Sequence, residues 1–250
     1  MKQRVSIYII GLLCSPVKSF SSTSRQAFTS TIMANNMDKQ TAKTAKLWDR
    51  FADGYSKQPI KDEEAYQKKL KVTQSYFKPT DSVLEFGCGT GSASIIHSQY
   101  VQKILATDIS PKMIEIAQKK ASDAGVTNVE FKQESINKLQ LPEQSQNVVL
   151  GMSILHLLDN KEEAMRKVHS WLKPGGYFIT STICISDMGT SSQLFMKSVF
   201  PVAKFFGMVP SVYCFTKTEL KESLKNNGFD IVYEWQPNKD AATFLVGKKK

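Results

Sequence analysis

The sequence predicts an α/β fold: a doubly wound, mostly parallel sheet with helices on both faces, closed by an antiparallel last strand. Three observations predict it. Short apolar stretches alternate with helical patterns between residues 82 and 183, and such alternation builds parallel sheets. A Gly-rich turn follows the first of these stretches. The last two, 229–235 and 242–246, lie too close together for a crossover helix and form a hairpin.

The elements follow in order. Residues 41–57 and 61–76 read as helices, with Leu47, Trp48, Phe51 and Tyr55 at i, i+1, i+4 and i+8. Strand one is 82–86, followed by glycines and a helix to about Tyr100. Strand two is 103–107. Ser110 and Pro111 then open a helix as N-cap and first residue. Strands three and four are 128–132 and 146–151. A helix over 162–172 is stopped by Lys173-Pro174-Gly175-Gly176, and strand five is 177–183. A helix over 218–227 ends at Gly228, before the hairpin.

Composition narrows the function. A chain of 250 residues suffices for one well-buried domain plus an extension. With 41% hydrophobic and 22% charged residues, wholesale disorder is excluded. No 18 apolar residues run together, so no membrane-spanning helix is expected. Cys14, Cys88, Cys184 and Cys214 form no CxxC pair, which argues against a zinc ribbon, a redox motif or a disulfide scaffold. No metal is expected. The net charge of +10 sits at the ends: residues 1–46 carry +6 and Lys248-Lys249-Lys250 carry +3. The nearly neutral body lacks the clustered Lys/Arg of a phosphate-binding face, so no nucleic-acid partner is expected.

Residues 1–36 read as a leader or disordered extension, and 37–250 as the functional domain. No acid precedes Asp38, nine of the residues 15–31 are Ser or Thr, and an apolar run spans 5–14. That combination reads as targeting to an organelle, plastid or mitochondrion. The alternative is a shorter cytoplasmic product begun at Met33 or Met37.

The chemistry lies in Val83-Leu84-Glu85-Phe86-Gly87-Cys88-Gly89-Thr90-Gly91. An apolar strand delivers an acid at its carboxyl end, then glycines at alternate positions, then a helix. Ligands of open parallel sheets bind at this place, and glycines let a ligand lie against bare backbone. The dinucleotide fingerprint is G-x-G-x-x-G, with a pyrophosphate at the helix start. Here the spacing is G-x-G-x-G behind Glu85. A carboxylate in that pocket repels a pyrophosphate and suits an ammonium or sulfonium group. Asp108 ends strand two, 17 residues after Gly91, where a carboxylate can accept both hydroxyls of a ribose. Glu134, Ser135 and Ile136 follow strand three, well placed beside an adenine ring.

These residues resemble the class I S-adenosylmethionine-dependent methyltransferases. "LEFGCGTG" (84–91) is similar to the family's first motif, "ATDIS" (106–110) to its second, and "LKPGG" (172–176) to the turn before strand five. The resemblance runs from about Trp48 to the end. It implies a Rossmann-like seven-stranded sheet of order 3-2-1-4-5-7-6 and S-adenosylmethionine as cofactor. It also implies Glu85 near the methionine amino end, Gly87 and Gly89 under the ligand, Asp108 on the ribose and Ile109 flanking the adenine. Cys88 and Gly91 complete the cofactor loop, Cys88 as a small filler. Many members carry Asp where this chain has Glu134.

The acceptor side is less specific. The Asn/Asp-Pro-Pro-aromatic motif of base-amine methyltransferases is absent after strand four, where the chain reads Gly151-Met152-Ser153-Ile154-Leu155-His156. His156 is a candidate proton acceptor, and Tyr55, in a helical amino-terminal lid over 41–76, a candidate at the cofactor's methionine end. The insertion 184–217 is rich in Phe, Met and Val. It reads as an apolar lid over a small lipophilic or aromatic acceptor, or as an amphipathic segment touching a membrane surface. The expected function is methyl transfer to such an acceptor. The alternatives are a non-catalytic cofactor-binding protein of this fold and a protein or nucleic-acid methyltransferase.

Overall fold

The computed structural model describes residues 22–189 and 209–250. Contacts divide the chain into residues 1–40 and 41–250. Helix α1 (Ser22–Lys57) begins inside the first unit, so the stretch whose composition suggests a leader is helical from Ser22. Its residues up to Asn36 contain no proline or glycine to stop a helix. The remaining elements are α2 (Glu63–Gln74), β1 (Ser82–Phe86), α3 (Ser92–His97), β2 (Lys103–Asp108), α4 (Pro111–Asp123) and β3 (Val129–Gln133). They continue with β4 (Gln146–Met152), α5 (Lys161–Trp171), β5 (Leu172–Thr182), α6 (Lys217–Asn226), β6 (Phe229–Trp235) and β7 (Thr243–Lys249).

The seven strands form one sheet in the order β3-β2-β1-β4-β5-β7-β6. Strands β1 to β5 pair in parallel, and β7 lies antiparallel between β5 and β6. Period-2 alternation divides the core between the two faces. Leu84, Phe86, Val149, Phe178 and Leu245 face one side with Met165, Val168 and Trp171 of α5 and Leu220 and Leu224 of α6. Val83, Ile104, Ala106, Val148, Leu150, Ile179 and Phe244 face the other with Ile114, Ala117 and Ala121 of α4. Burial of both faces accounts for the continuous apolar runs of the central strands.

One boundary differs from the sequence reading. Lys173-Pro174-Gly175-Gly176 does not separate helix from strand; β5 already begins at Leu172. Gln146 pairs with Leu172 and Val148 with Tyr177, so the Pro-Gly-Gly turn is a bulge in the strand rather than a break. Gly175 adopts φ +72° there.

The sheet order reverses between β1 and β4, with the Gly-rich turn at the carboxyl end of β1. Gly91 has φ +73°, and a Cβ on it would lie 2.6 Å from Phe131 Cε1 and 2.8 Å from Ala117 Cβ. Its lack of a side chain brings α3, α4 and β3 together. Gly91→Ala adds overpacking to left-handed strain, and is expected to lower unfolding free energy by roughly 2–4 kcal/mol in a denaturant titration. An unchanged midpoint would show that the turn relaxes freely.

Candidate active site

The turns after β1, β2, β3 and β4 carry the candidate residues at the carboxyl edge of the sheet. Gly87, Gly89 and Gly91 all have positive φ, of 67°, 53° and 73°. The turn doubles back tightly enough for the Cys88 N–H to donate to the Thr107 carbonyl at 3.0 Å. That bond ties the turn after β1 to the end of β2. A Cβ on Gly87 would collide with Ile154 at 2.7 Å, whereas one on Gly89 would meet only Tyr55 Cε1, at 3.6 Å. Gly89 is therefore the point where bare backbone faces an open cradle, roofed by the Tyr55 ring.

Asp108 joins two turns. Its Oδ2 accepts from the Gly89 N–H and its Oδ1 from the Ser110 N–H, both at 2.9 Å. A carboxylate has about four acceptor sites, so capacity for hydroxyl donors remains after these two bonds. Burial raises its pKa from the ordinary aspartate value, while the bonded N–H groups pull it down. The residue expected to serve the ligand thus also fixes the loop.

Glu85 is 2% exposed. Ser94 Oγ donates to its Oε2, and among the described residues it forms no ion pair. Burial pushes its pKa up to about 7; the Ser94 bond opposes this and the Asp108 charge adds to it. The Cys88 thiol is raised well above its ordinary value by burial and by Glu85 and Asp108. It is no thiolate at neutral pH, consistent with a filler.

The amino-terminal helices supply the roof. Burial, then Asp108 and Glu85, raise the Tyr55 phenol pKa, although half of the residue's surface faces solvent. The part of the ring that faces the glycine turn is its Cε1 edge. Tyr66 of α2 is raised likewise, by burial and then by Glu85, and had no motif to single it out. Asp49, also without a sequence signal, reaches Ser110 Oγ at 2.6 Å. Its position beside Trp48 on the lid helix reads as a solvated acid.

On the far side, the Glu134 N–H donates to the Asp108 carbonyl at 3.0 Å, and Glu134 Oε1 accepts from the Ser135 N–H at 3.1 Å. Gln133 Nε2 donates to the Ile109 carbonyl at 3.3 Å. These bonds bring Ile109, Glu134 and Ser135 beside Asp108. The Ile136 side chain is buried in the core with α5, and its carbonyl accepts from Lys167 Nζ at 3.1 Å.

His156 lies on a 3-10 turn, Leu155–Leu157, after β4. Its Nδ1 is 2.9 Å from Thr182 Oγ1, and the Tyr213 N–H donates to its carbonyl at 2.8 Å. Burial lowers its pKa to about 4, so the ring is neutral at physiological pH. Ser153 before it holds φ +55°, a strain typical of functional turns. Of the apolar insertion, residues 190–208 lie outside the described residues. Phe215 belongs to the core and, with the exposed Tyr213, also borders a cavity beside α6. This cavity, of about 410 Å³, is also lined by Asp159, Glu219 and Glu222, away from the glycine turn.

The donor set fits a cofactor with a ribose and a cationic end: bare backbone at Gly89, spare acceptors on Asp108 and an unpaired carboxylate at Glu85. Two outcomes follow. Glu85 has a raised folded pKa, so wild-type stability is lost as pH rises from its unfolded value of 4.5 through about 7. The stability advantage of Glu85→Gln over wild type should therefore widen from pH 5 to pH 8, by up to about 3 kcal/mol. A constant gap would contradict this. Asp108→Asn must turn an NH₂ toward one of two N–H donors, and should cost roughly 1–3 kcal/mol of stability as well as cofactor affinity. Loss of affinity alone would remove its structural role.

Comparison with known proteins agrees with this geometry. A family model described as a methyltransferase domain matches residues 77–243. An uncharacterised methyltransferase of Bacillus subtilis, YcgJ, is 32% identical over 110 residues, covering 44% of each chain. An arsenite methyltransferase of Halobacterium salinarum is 26% identical over 183 residues, 67% of this chain and 45% of that one. The chain spans less than half the length of these two relatives. A ubiquinone/menaquinone biosynthesis C-methyltransferase of Francisella tularensis is 24% identical over 164 residues, 64% of this chain and 66% of that one. The crystal structure of YcgJ shares the fold, with a TM-score of 0.61 at 17% identity over 74% of this chain and 99% of the other. The chain belongs to the class I S-adenosylmethionine-dependent methyltransferases.

Proposed function

We propose that the protein transfers a methyl group from S-adenosylmethionine to a small lipophilic or aromatic acceptor. Glu85 carries the reaction type: a buried carboxylate without a cationic partner, beside a glycine turn, repels a pyrophosphate and attracts a cationic ligand end. Bound S-adenosylmethionine supplies an already activated sulfonium methyl group. The protein then needs to align two reactants and exclude water. Gly89 and Asp108 would hold the ribose side, Glu85 the ammonium side, and Tyr55 would cover the turn.

Three features support the acceptor class. The body of the chain is nearly neutral, the insertion 184–217 is dense in Phe, Met and Val, and Phe51, Tyr55 and Tyr213 are exposed aromatics. One relative is named for ubiquinone and menaquinone and another for arsenite, so family membership alone does not choose the acceptor. His156 would orient the acceptor. In the tautomer whose Nδ1–H donates to Thr182 Oγ1, Nε2 is left as a neutral hydrogen-bond acceptor for a hydroxyl or amine. A pKa of about 4 makes it a weak base. The basic, acid-free start of the chain supports import into an organelle; a fluorescent reporter carrying residues 1–36 that stays cytoplasmic would refute that.

The acceptor test is incubation of a metabolite extract with methyl-labelled cofactor, followed by mass spectrometry. Label is expected in a small apolar molecule. Label confined to RNA or protein, or tight cofactor binding with no label transferred, contradicts the reading. On the identified acceptor, His156→Gln should lower kcat about tenfold or more with cofactor Kd unchanged. The wild-type pH profile should show no histidine inflection near 6.5, because the ring stays neutral until about pH 4. A clear inflection at 6.5 lost in the variant would overturn the assigned burial.

A further inference from the structure

The contacts around the glycine turn close into a ring. Tyr55 of α1 lies over Gly89. The Gly89 N–H donates to Asp108 Oδ2, and Asp108 Oδ1 accepts from the Ser110 N–H. The Ser110 hydroxyl donates to Asp49 Oδ1 at 2.6 Å, and Asp49 is back on α1. The same Asp49 oxygen accepts from the Lys112 N–H at 3.2 Å. Ser110 Oγ in turn accepts from the Met113 N–H at 3.1 Å, as the N-cap of α4. Asp49 thus supplies an acceptor to the first turn of α4, where orphan N–H groups and the helix dipole favour a negative charge.

We propose that Asp49 is a positioning residue for cofactor binding. It fastens the lid helix α1 to the start of α4, which also orients the Asp108 carboxylate, so that lid placement and carboxylate placement are set together. The inference rests on the S-adenosylmethionine reading for the identity of the ligand. Its geometry is independent of the acceptor.

Two consequences follow from the chemistry of the bonds. The acceptor oxygen matters more than the charge, because both donors are neutral groups that an amide oxygen can also satisfy. The charge itself opposes ionisation of Asp108, to which Asp49 is close. Asp49→Asn therefore keeps the fastening and removes a repulsion. Asp49→Ala and Asp49→Ser lose the reach to Ser110 and free the helix. A residue that merely stabilised the fold would show this order in stability but leave the cofactor Kd and off-rate of the folded variants unchanged.

The test uses the full chain and S-adenosylmethionine. Cofactor Kd and off-rate are measured for wild type and the three variants, and hydrogen exchange is followed in the ligand-free proteins. Asp49→Ala and Asp49→Ser should raise Kd about tenfold or more through a faster off-rate, and speed exchange over residues 45–57 without altering the central strands. Asp49→Asn should bind at least as tightly as wild type and protect 45–57 equally. Unchanged Kd and exchange in both the Ala and Ser variants overturns the proposal, as does an Asn variant as weak as Ala. A wild type that binds cofactor but methylates nothing defeats the methyl-transfer reading and leaves this one standing. If the Ala variant does not fold, the Ser and Asn pair decides.

Discussion

Two backbone N–H groups from different turns, those of Gly89 and Ser110, point at the carboxylate of Asp108. Their convergence makes the carboxyl edge of the sheet a site instead of a row of loops. A carboxylate at the end of β2 fixes the turn after β1 and the start of α4 at once, because it has acceptor capacity for both and more to spare. The Cys88 N–H on the Thr107 carbonyl also ties the turn after β1 to the end of β2. Only glycines allow this: at φ +67°, +53° and +73° the turn needs three left-handed residues within five positions.

The cost of this arrangement is electrostatic. Glu85 and Asp108 are buried, and Asp49 lies near enough to Asp108 to disfavour its ionisation. Among the described residues, neither Glu85 nor Asp108 has a Lys or Arg partner. Burial therefore raises both pKa values, Glu85 to about 7. A site that keeps unpaired acids in a low-dielectric cleft is complementary to a cation that arrives with the ligand. The phenol of Tyr55, raised in the same field, remains a neutral roof and adds no charge of its own.

Much of this was legible in the sequence because it depends on local chemistry. Short apolar runs give the strands, Ser110-Pro111 gives the start of α4, and the glycine spacing behind Glu85 gives the turn. The strand order came from family resemblance, and the observed sheet has that order. Asp49 was not legible, since its partner is 61 residues away in the chain and no local pattern distinguishes it from a solvated acid. Position after β3 does not reveal which way a side chain turns, and the β-branched Ile136 packs into the core. The turn Lys173-Pro174-Gly175-Gly176 reads as a stop, yet pairing with β4 resumes on both sides of it, a tertiary override of local propensity. The apolar insertion was conspicuous in composition, but Phe215 shows that such residues also serve the core.

The central claim is that Glu85 meets the cationic end of the cofactor and must ionise to do so. Calorimetric titration with S-adenosylmethionine near pH 6, in two buffers of different ionisation enthalpy, tests it most directly, with NAD as the control ligand. Glu85 is mostly protonated at that pH in the ligand-free protein, so S-adenosylmethionine should bind with release of most of a proton to the buffer. That release should vanish in Glu85→Gln, and NAD should not bind. Binding of NAD in preference to S-adenosylmethionine, or S-adenosylmethionine binding with the same heat in both buffers, would contradict the account.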